Sequence, residues 1–212
     1  MFYLTDRDRF IIEEISRFRG CLGKQIIKIA NFTSRRSCDQ RLKKLIDNGY
    51  IERKRYVYGI AGVYRITNKA KIEIGIDLPV SNIRLEQLEH DLLVVDVYLF
   101  LKDRLNLTPA DFTTEKELRH IQGFNTRTHA PDLIYKYNNK IYCVEVELSL
   151  KAKSRLEKNI NNNYVTYNGQ KWFIRHTNNR LYSWLREFSS IYPDIEIISI
   201  EVVNDDRNIN KT

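Results

Sequence analysis

Three carboxylates and a row of cations are the residues with the most chemistry to offer. In the segment from Pro131 to Lys153, the runs Leu133–Tyr137 and Ile141–Leu148 read as two short strands. Asn138-Asn139 between them suits a tight hairpin turn, because Asn tolerates the left-handed backbone better than most residues. Strand side chains alternate, so Tyr142, Val144, Val146 and Leu148 take one face and Cys143, Glu145 and Glu147 take the other. Asp132, at the start of the partner strand, can reach the side on which Glu145 and Glu147 project. Carboxylates gathered at one point repel one another, so the arrangement calls for a divalent cation between them or a basic partner. Lys151 or Lys153, further along, is the candidate for a catalytic cation beside these acids.

This layout resembles the core of a restriction-endonuclease-like fold, and the resemblance implies a mixed sheet with flanking helices over 83–204 to position the acids. Ile83–Leu105 is apolar-periodic and reads as one long helix or a pair of helices. Glu89, near its start, is either a further acidic ligand or an acid favoured by the helix dipole. Glu115–Arg119 is expected to be the first strand of the sheet. On it, Glu117 either approaches the acids as a metal ligand or pairs with Lys116 or Arg119. His120–Ala130 reads as a loop that brings Arg127 and His129 to the mouth of the site, where they would meet phosphate. A helix capped by Ser154 follows, holding Leu156, Ile160 and Tyr164, with Lys151, Lys153, Arg155 and Lys158 on its polar side. A strand at Lys171–Arg175, a helix at Asn178–Tyr192 and a last strand at Ile195–Val203 complete an α/β core, and 205–212 is a polar tail.

Charge separates the first third from the rest. Residues 1–77 carry 17 Lys/Arg against 9 Asp/Glu, a difference of +8, whereas 78–212 carry 18 against 18. A local excess of this kind is the footprint of a polyanion, usually nucleic acid. Thr5 caps a first helix, Gln25–Ala30 is a second, and Thr33 or Ser34 caps a third that ends before Gly49. Tyr50–Tyr58 and Val63–Ile66 are β-rich and joined through Gly59–Gly62 as a hairpin, and Gly75–Asn82 reads as a linker. Three helices and a hairpin form the order of a winged helix-turn-helix domain over 1–77. Its third helix would enter the DNA major groove. Arg35, Arg36 and Gln40 lie nearest the base edges, and Lys43, Lys44, Arg53, Lys54 and Arg55 are the phosphate contacts.

The chain lacks a run of about 18 apolar residues, so no membrane span or membrane partner is expected. Cys21, Cys38 and Cys143 are scattered, odd in number and without metal spacing, which suits a reducing cytoplasmic setting.

Two family resemblances attach to these residues. Pro131-Asp132 followed by Glu145-x-x in a hairpin resembles the core of the PD-(D/E)xK nuclease superfamily, with Glu147 where that superfamily usually carries Lys. Asn163-x-x-x-Tyr167 resembles the Gln-x-x-x-Tyr element of some nucleases of that fold, with Asn in place of Gln. The resemblance implies Mg²⁺ or Mn²⁺ held by Asp132, Glu145 and Glu147, and an endonuclease acting on DNA phosphodiesters. Across residues 4–167 the order of short segments is similar to that of the replication-relaxation family of plasmid and mobile-element proteins. The matching segments are Leu4-Thr5-Asp6-Arg7-Asp8, Arg41-Leu42-Lys43-Lys44-Leu45, Tyr64-Arg65-Ile66-Thr67, His90-Asp91-Leu92, Glu115–Arg119, Pro131-Asp132 and Glu145-Val146-Glu147. That resemblance implies a DNA-binding role in plasmid replication or conjugative DNA processing, beside a relaxase or replication proteins. The chain itself shows neither a clustered His triad nor a convincing nucleophilic Tyr, which argues against its being a relaxase. A homodimer is an open expectation, because winged helices often read paired half-sites.

Overall fold

Local capping sets the first helix. The Thr5 hydroxyl accepts from Asp8 N at 3.3 Å, and the Asp8 carboxylate accepts from Thr5 N at 2.7 Å. This reciprocal box starts α1 (Asp6–Arg17). The computed structural model describes residues 2–59, 61–123 and 129–205, with side chains to 203. The chain divides into two compact units, Met1–Val95 and Asp96–Thr212, the division falling inside a helix.

In the front unit, β1 (Cys21–Leu22) and α2 (Gly23–Ile29) follow α1. The Gln25 side chain ties this corner together: its carbonyl oxygen accepts from Leu22 N and its amide donates to the Leu92 carbonyl, both at 2.8 Å. α3 (Arg35–Asp47) starts at Ser34, whose hydroxyl accepts from Ser37 N. Its end is fixed by Gly49 at φ 73°, with Gly49 N donating to Ile46 O and Tyr50 N to Leu45 O. This is the paired-bond helix stop that a left-handed glycine permits. β2 (Ile51–Lys54) and β3 (Val63–Ile66) pair antiparallel, and β1 adds to β3 to give the order β1-β3-β2. Ile11, Ile12, Ile26, Leu42, Leu45, Ile51 and Val63 form the buried interior beneath.

Three details differ from expectation. The first hairpin strand is four residues long rather than running to Tyr58, and Ile60 in its turn lies outside the described residues. The short strand at Cys21 is additional. Thr67 caps a further helix, α4 (Asn68–Ile74), that stops at Gly75 with φ 79°.

α5 (Leu88–Leu105) carries the chain onward as one helix, after a 3₁₀ turn at Leu85–Gln87. In the rear unit, β4 (Phe112–Thr114), β5 (Leu133–Tyr137) and β6 (Lys140–Glu147) form an antiparallel run. Asn138 and Asn139, at φ 49° and 59°, make the two-residue turn between β5 and β6, as their side chains predict. α7 (Lys153–Thr166) crosses to β7 (Gly169–Ile174), parallel to β6, and α8 (Asn179–Ser189) crosses to β8 (Ile195–Ser199), parallel to β7. The five strands lie in the order β4-β5-β6-β7-β8. Leu156 and Ile160 of α7 pack with Trp172, Ile174, Leu181, Leu185 and Phe188. Burying each such side chain contributes about 1.5–3 kcal/mol, so this cluster fixes the position of α7 over the sheet. The architecture is mixed α+β, a three-stranded and a five-stranded mixed sheet with flanking helices.

Here too some expectations are corrected. Glu115–Arg119 is not a strand but the start of α6 (Glu115–Gln122). Thr114 and Glu117 form a second reciprocal cap, at 2.7 Å from Thr114 N to the Glu117 carboxylate, which outweighs any β preference. The His120–Ala130 segment is therefore helical to Gln122, and Arg127 lies outside the described residues. α7 begins one residue before Ser154, with Ala152 at its cap. The last strand ends at Ser199 and gives way to α9 (Ile200–Asp205), whose Ile200 and Val203, three apart, are buried. The polar tail from 206 lies outside the described residues.

Candidate nucleic-acid interface and acidic strand

α3 buries Cys38, Leu42 and Leu45 on one side. The spacing of those residues leaves Arg35, Arg36, Gln40, Lys43 and Lys44 exposed on the other. Two of the cations have only weak internal claims. Arg35 stands 3.6 Å from Asp39 and is 86% exposed, and Lys43 Nζ lies 3.0 Å from Asp47. Exposed i,i+4 pairs of this kind contribute a few tenths of a kcal/mol, so they are easily exchanged for phosphate. A shallow groove of about 590 Å³ runs past Ser37, Gln40, Arg41, Lys43, Lys44 and Asp47. On the hairpin, Arg53, Lys54 and Arg55 are exposed. Arg53 lies over the Tyr64 ring and Lys54 over the Tyr56 ring, which holds their stems in place without neutralising them.

Arg41 is different. Its guanidinium grips the fully buried Asp8 carboxylate and lies 5.4 Å from the Phe2 ring centroid. Burial pushes the Asp8 carboxyl up, but the Arg41 and Thr5 hydrogen bonds outweigh it and hold the group below its ordinary range. Arg41 thus fastens the start of α1 to the middle of α3. The sequence offered no signal for this long-range pair.

In the rear unit, Asp132 and Glu145 do come together. One Asp132 oxygen accepts from Val146 N at 2.8 Å, across the β5–β6 hairpin, and the Asp132 charge acts on Glu145. Glu145 is buried, and its Oε1 meets His129 Nε2 at 2.6 Å and accepts from Asn163 Nδ2 at 2.9 Å. Burial drives the Glu145 carboxyl above its ordinary range; the Asp132 charge adds to this, while His129 and Asn163 oppose it. A contact of 2.6 Å between these two atoms requires one proton between them, carried by the imidazole or by the carboxyl. Glu147 lies two residues along the same strand face and is also buried. Its Oε2 meets Lys151 Nζ at 2.5 Å, and Ser149 donates to its other oxygen.

The remaining candidates fall elsewhere. Lys153 reaches Glu187 of α8 at 2.6 Å rather than the acids. Glu117 is engaged as the α6 cap. Glu89 is exposed in the first turn of α5, in the front unit. A divalent ion among Asp132, Glu145 and Glu147 is therefore a poor fit to this arrangement. Glu145 is spoken for by His129 and Asn163, Glu147 by Lys151, and Glu117 by Thr114. Among the described residues, no group of three or more His, Cys, Asp or Glu is arranged to hold a metal ion.

Above Glu145 opens a cleft of about 1080 Å³. His129 and Asn163 line it together with Arg119, Arg155, Lys158 and Asn162. Tyr167, half-buried at the same place, has its phenol pushed up to about 12, chiefly by burial and then by nearby Cys143 and Glu145. The bonds from His129 and Asn163 to Glu145 were not foreseen. Arg155 and Lys158 on the polar side of this helix were visible in the sequence, but their concave setting beside Asn159, Asn162 and Thr166 was not.

No protein-family model matches the chain, and no curated protein or solved structure matches it either.

Proposed function

We propose that the protein binds duplex DNA through α3 and the β2–β3 hairpin, as a winged helix, and serves a plasmid or mobile element in replication or conjugative DNA processing. The observation that carries the DNA-binding reading is the outer face of α3, where five polar residues with no strong internal partner among the described residues stand opposite a buried apolar face. Arg35, Arg36 and Gln40 sit in the first two turns, where a recognition helix meets base edges. Lys43, Lys44 and the hairpin cations Arg53, Lys54 and Arg55 serve the phosphates. The excess of +8 within residues 1–77 supports the same reading. The plasmid role rests on the family resemblance of the ordered segments.

The rear unit, read as a PD-(D/E)xK-like fold, is proposed as a module that does not cut. Its mixed sheet supports the fold reading through the antiparallel β4–β5–β6 run followed by parallel crossovers. Its acids support the non-cutting reading, because Glu145, Glu147 and Glu117 are each engaged by another side chain or cap and one Asp132 oxygen by Val146 N. Catalysis of phosphodiester cleavage by such acids would run through a divalent ion that activates water and stabilises the phosphate charge. The residues here do not fit that ion, so no catalytic step is assigned to them.

The test uses plasmid DNA with Mg²⁺ or Mn²⁺, beside a footprinting experiment. A footprint on a defined site, lost in Arg35→Ala/Arg36→Ala and without cleavage, is the expected result. Metal-dependent cleavage lost in Asp132→Ala would instead make the chain an endonuclease.

A further inference from the structure

The rear-unit cleft has a chemistry of its own. Arg155 and Lys158 are exposed, line the cleft, and have no acidic partner within ion-pair distance among the described residues. Two cations one helical turn apart, with no acid between them, raise a positive local potential in the concavity that attracts an anion. Arg119 lines the same cleft, although it also binds Glu115 at 2.8 Å. Beside the cations stand amide donors, Asn159, Asn162 and Gln122.

The lining of α7 has direction as well as charge. Positions 155, 158, 159, 162 and 166 fall on one face of the helix and span eleven residue steps, about 16 Å at 1.5 Å per residue. A row of two cations followed by two amides and a hydroxyl on that scale suits a succession of phosphates rather than a single one. A duplex lies across a surface, whereas the deeper wall here is made by His129 and by the buried Asn163. A single strand can enter such a cleft. The acids below it are engaged by His129, Asn163 and Lys151, so binding calls for no bridging ion.

We propose that the cleft between α6, α7 and His129 holds a single DNA strand by its phosphodiester backbone, without a divalent metal, through Arg155, Lys158 and the amides of α7. The site reads backbone rather than sequence, because cations and amides supply the contacts. It is separate from the duplex interface on α3 and does not depend on it.

The experiment is fluorescence anisotropy of a labelled oligothymidylate with the full chain in EDTA. The wild type binds, and Arg155→Ala/Lys158→Ala weakens binding about tenfold or more. The same pair lowers the slope of log affinity against log salt by about 1.4, or 0.7 for each lost phosphate contact. Arg155→Lys/Lys158→Arg keeps most of the affinity, which separates charge from folding. The loss persists when the pair is placed in an Arg35→Ala/Arg36→Ala background. Failure of the duplex reading shows separately, as unchanged duplex binding in that background. Unaltered oligothymidylate affinity in Arg155→Ala/Lys158→Ala, or binding that appears only with Mg²⁺, would overturn the proposal. So would thymidine monophosphate competing as well as the oligonucleotide at equal phosphate concentration.

Discussion

The two units treat charge in opposite ways. The front unit pairs its buried charge, Asp8 with Arg41, and leaves a face of cations exposed on α3. The rear unit buries acids in the middle of its sheet and surrounds them with His129, Asn163 and Lys151. Its cations are placed above those acids in a cleft. The difference teaches that exposed, weakly paired charge stays exchangeable with an outside anion, whereas buried charge matched by its neighbours is held in place. On this basis the α3 face is the proposed interface, and no cutting is proposed for the acid strand.

That comparison breaks first if the exposed face does not matter. Arg35→Ala/Arg36→Ala should cost about 3 kcal/mol of duplex affinity, roughly a hundredfold, in a gel-shift titration. Thermal unfolding of the same variant should be nearly unchanged, since both residues are exposed. Arg41→Ala should do the reverse. It leaves Asp8 buried without its cation, a defect that costs about 3 kcal/mol of stability in chemical denaturation. Because the Asp8 carboxyl is held low, its contribution is present above the ordinary carboxylate range near pH 4 and is lost as pH falls through the folded value. The stability gap between wild type and variant should therefore narrow in acid.

Glu145 gives the converse pH profile. A raised carboxyl holds its proton longer in the folded state, so its contribution falls as pH rises above the ordinary range. Glu145→Gln keeps the shape and an acceptor for Asn163. Its melting temperature should exceed that of the wild type at pH 8, with the difference shrinking towards pH 4. A variant less stable than the wild type at pH 8 would mean that the ionised carboxylate is the favoured partner of His129. The smallest effect belongs to Glu117. Glu117→Ala should lower stability by about 1 kcal/mol through loss of the α6 cap, and Glu117→Gln, which can still cap, by less. A change in Mg²⁺ affinity in either variant would return Glu117 to the role of a ligand.

Much of the fold was legible where a few adjacent residues decide it. Thr5 with Asp8, Gly49 after α3 and the Asn138-Asn139 turn each specify their geometry locally. The misread segments are those where a local signal was outranked. Glu115–Arg119 is helical because the Thr114-x-x-Glu117 box starts a helix there, against the strand expected. Ile195–Val203 alternates plausibly throughout, yet Ile200 and Val203 share a helical face and are buried there. The site was legible in its residue types and only partly in its contacts. The hairpin that brings Asp132 to Glu145 follows from strand register. The reach of Asn163 to Glu145, of Lys153 to Glu187 and of Arg41 to Asp8 depends on tertiary approach over 18, 34 and 33 residues, which no spacing rule encodes.

The most direct measurement is the salt dependence of duplex DNA affinity, for the wild type and for Arg35→Ala/Arg36→Ala. A basic α3 face that releases counterions predicts a steep negative slope for the wild type, made shallower by about 1.8 in the variant, 0.9 for each lost contact. An affinity indifferent to salt, or a slope identical in the two proteins, would contradict the account.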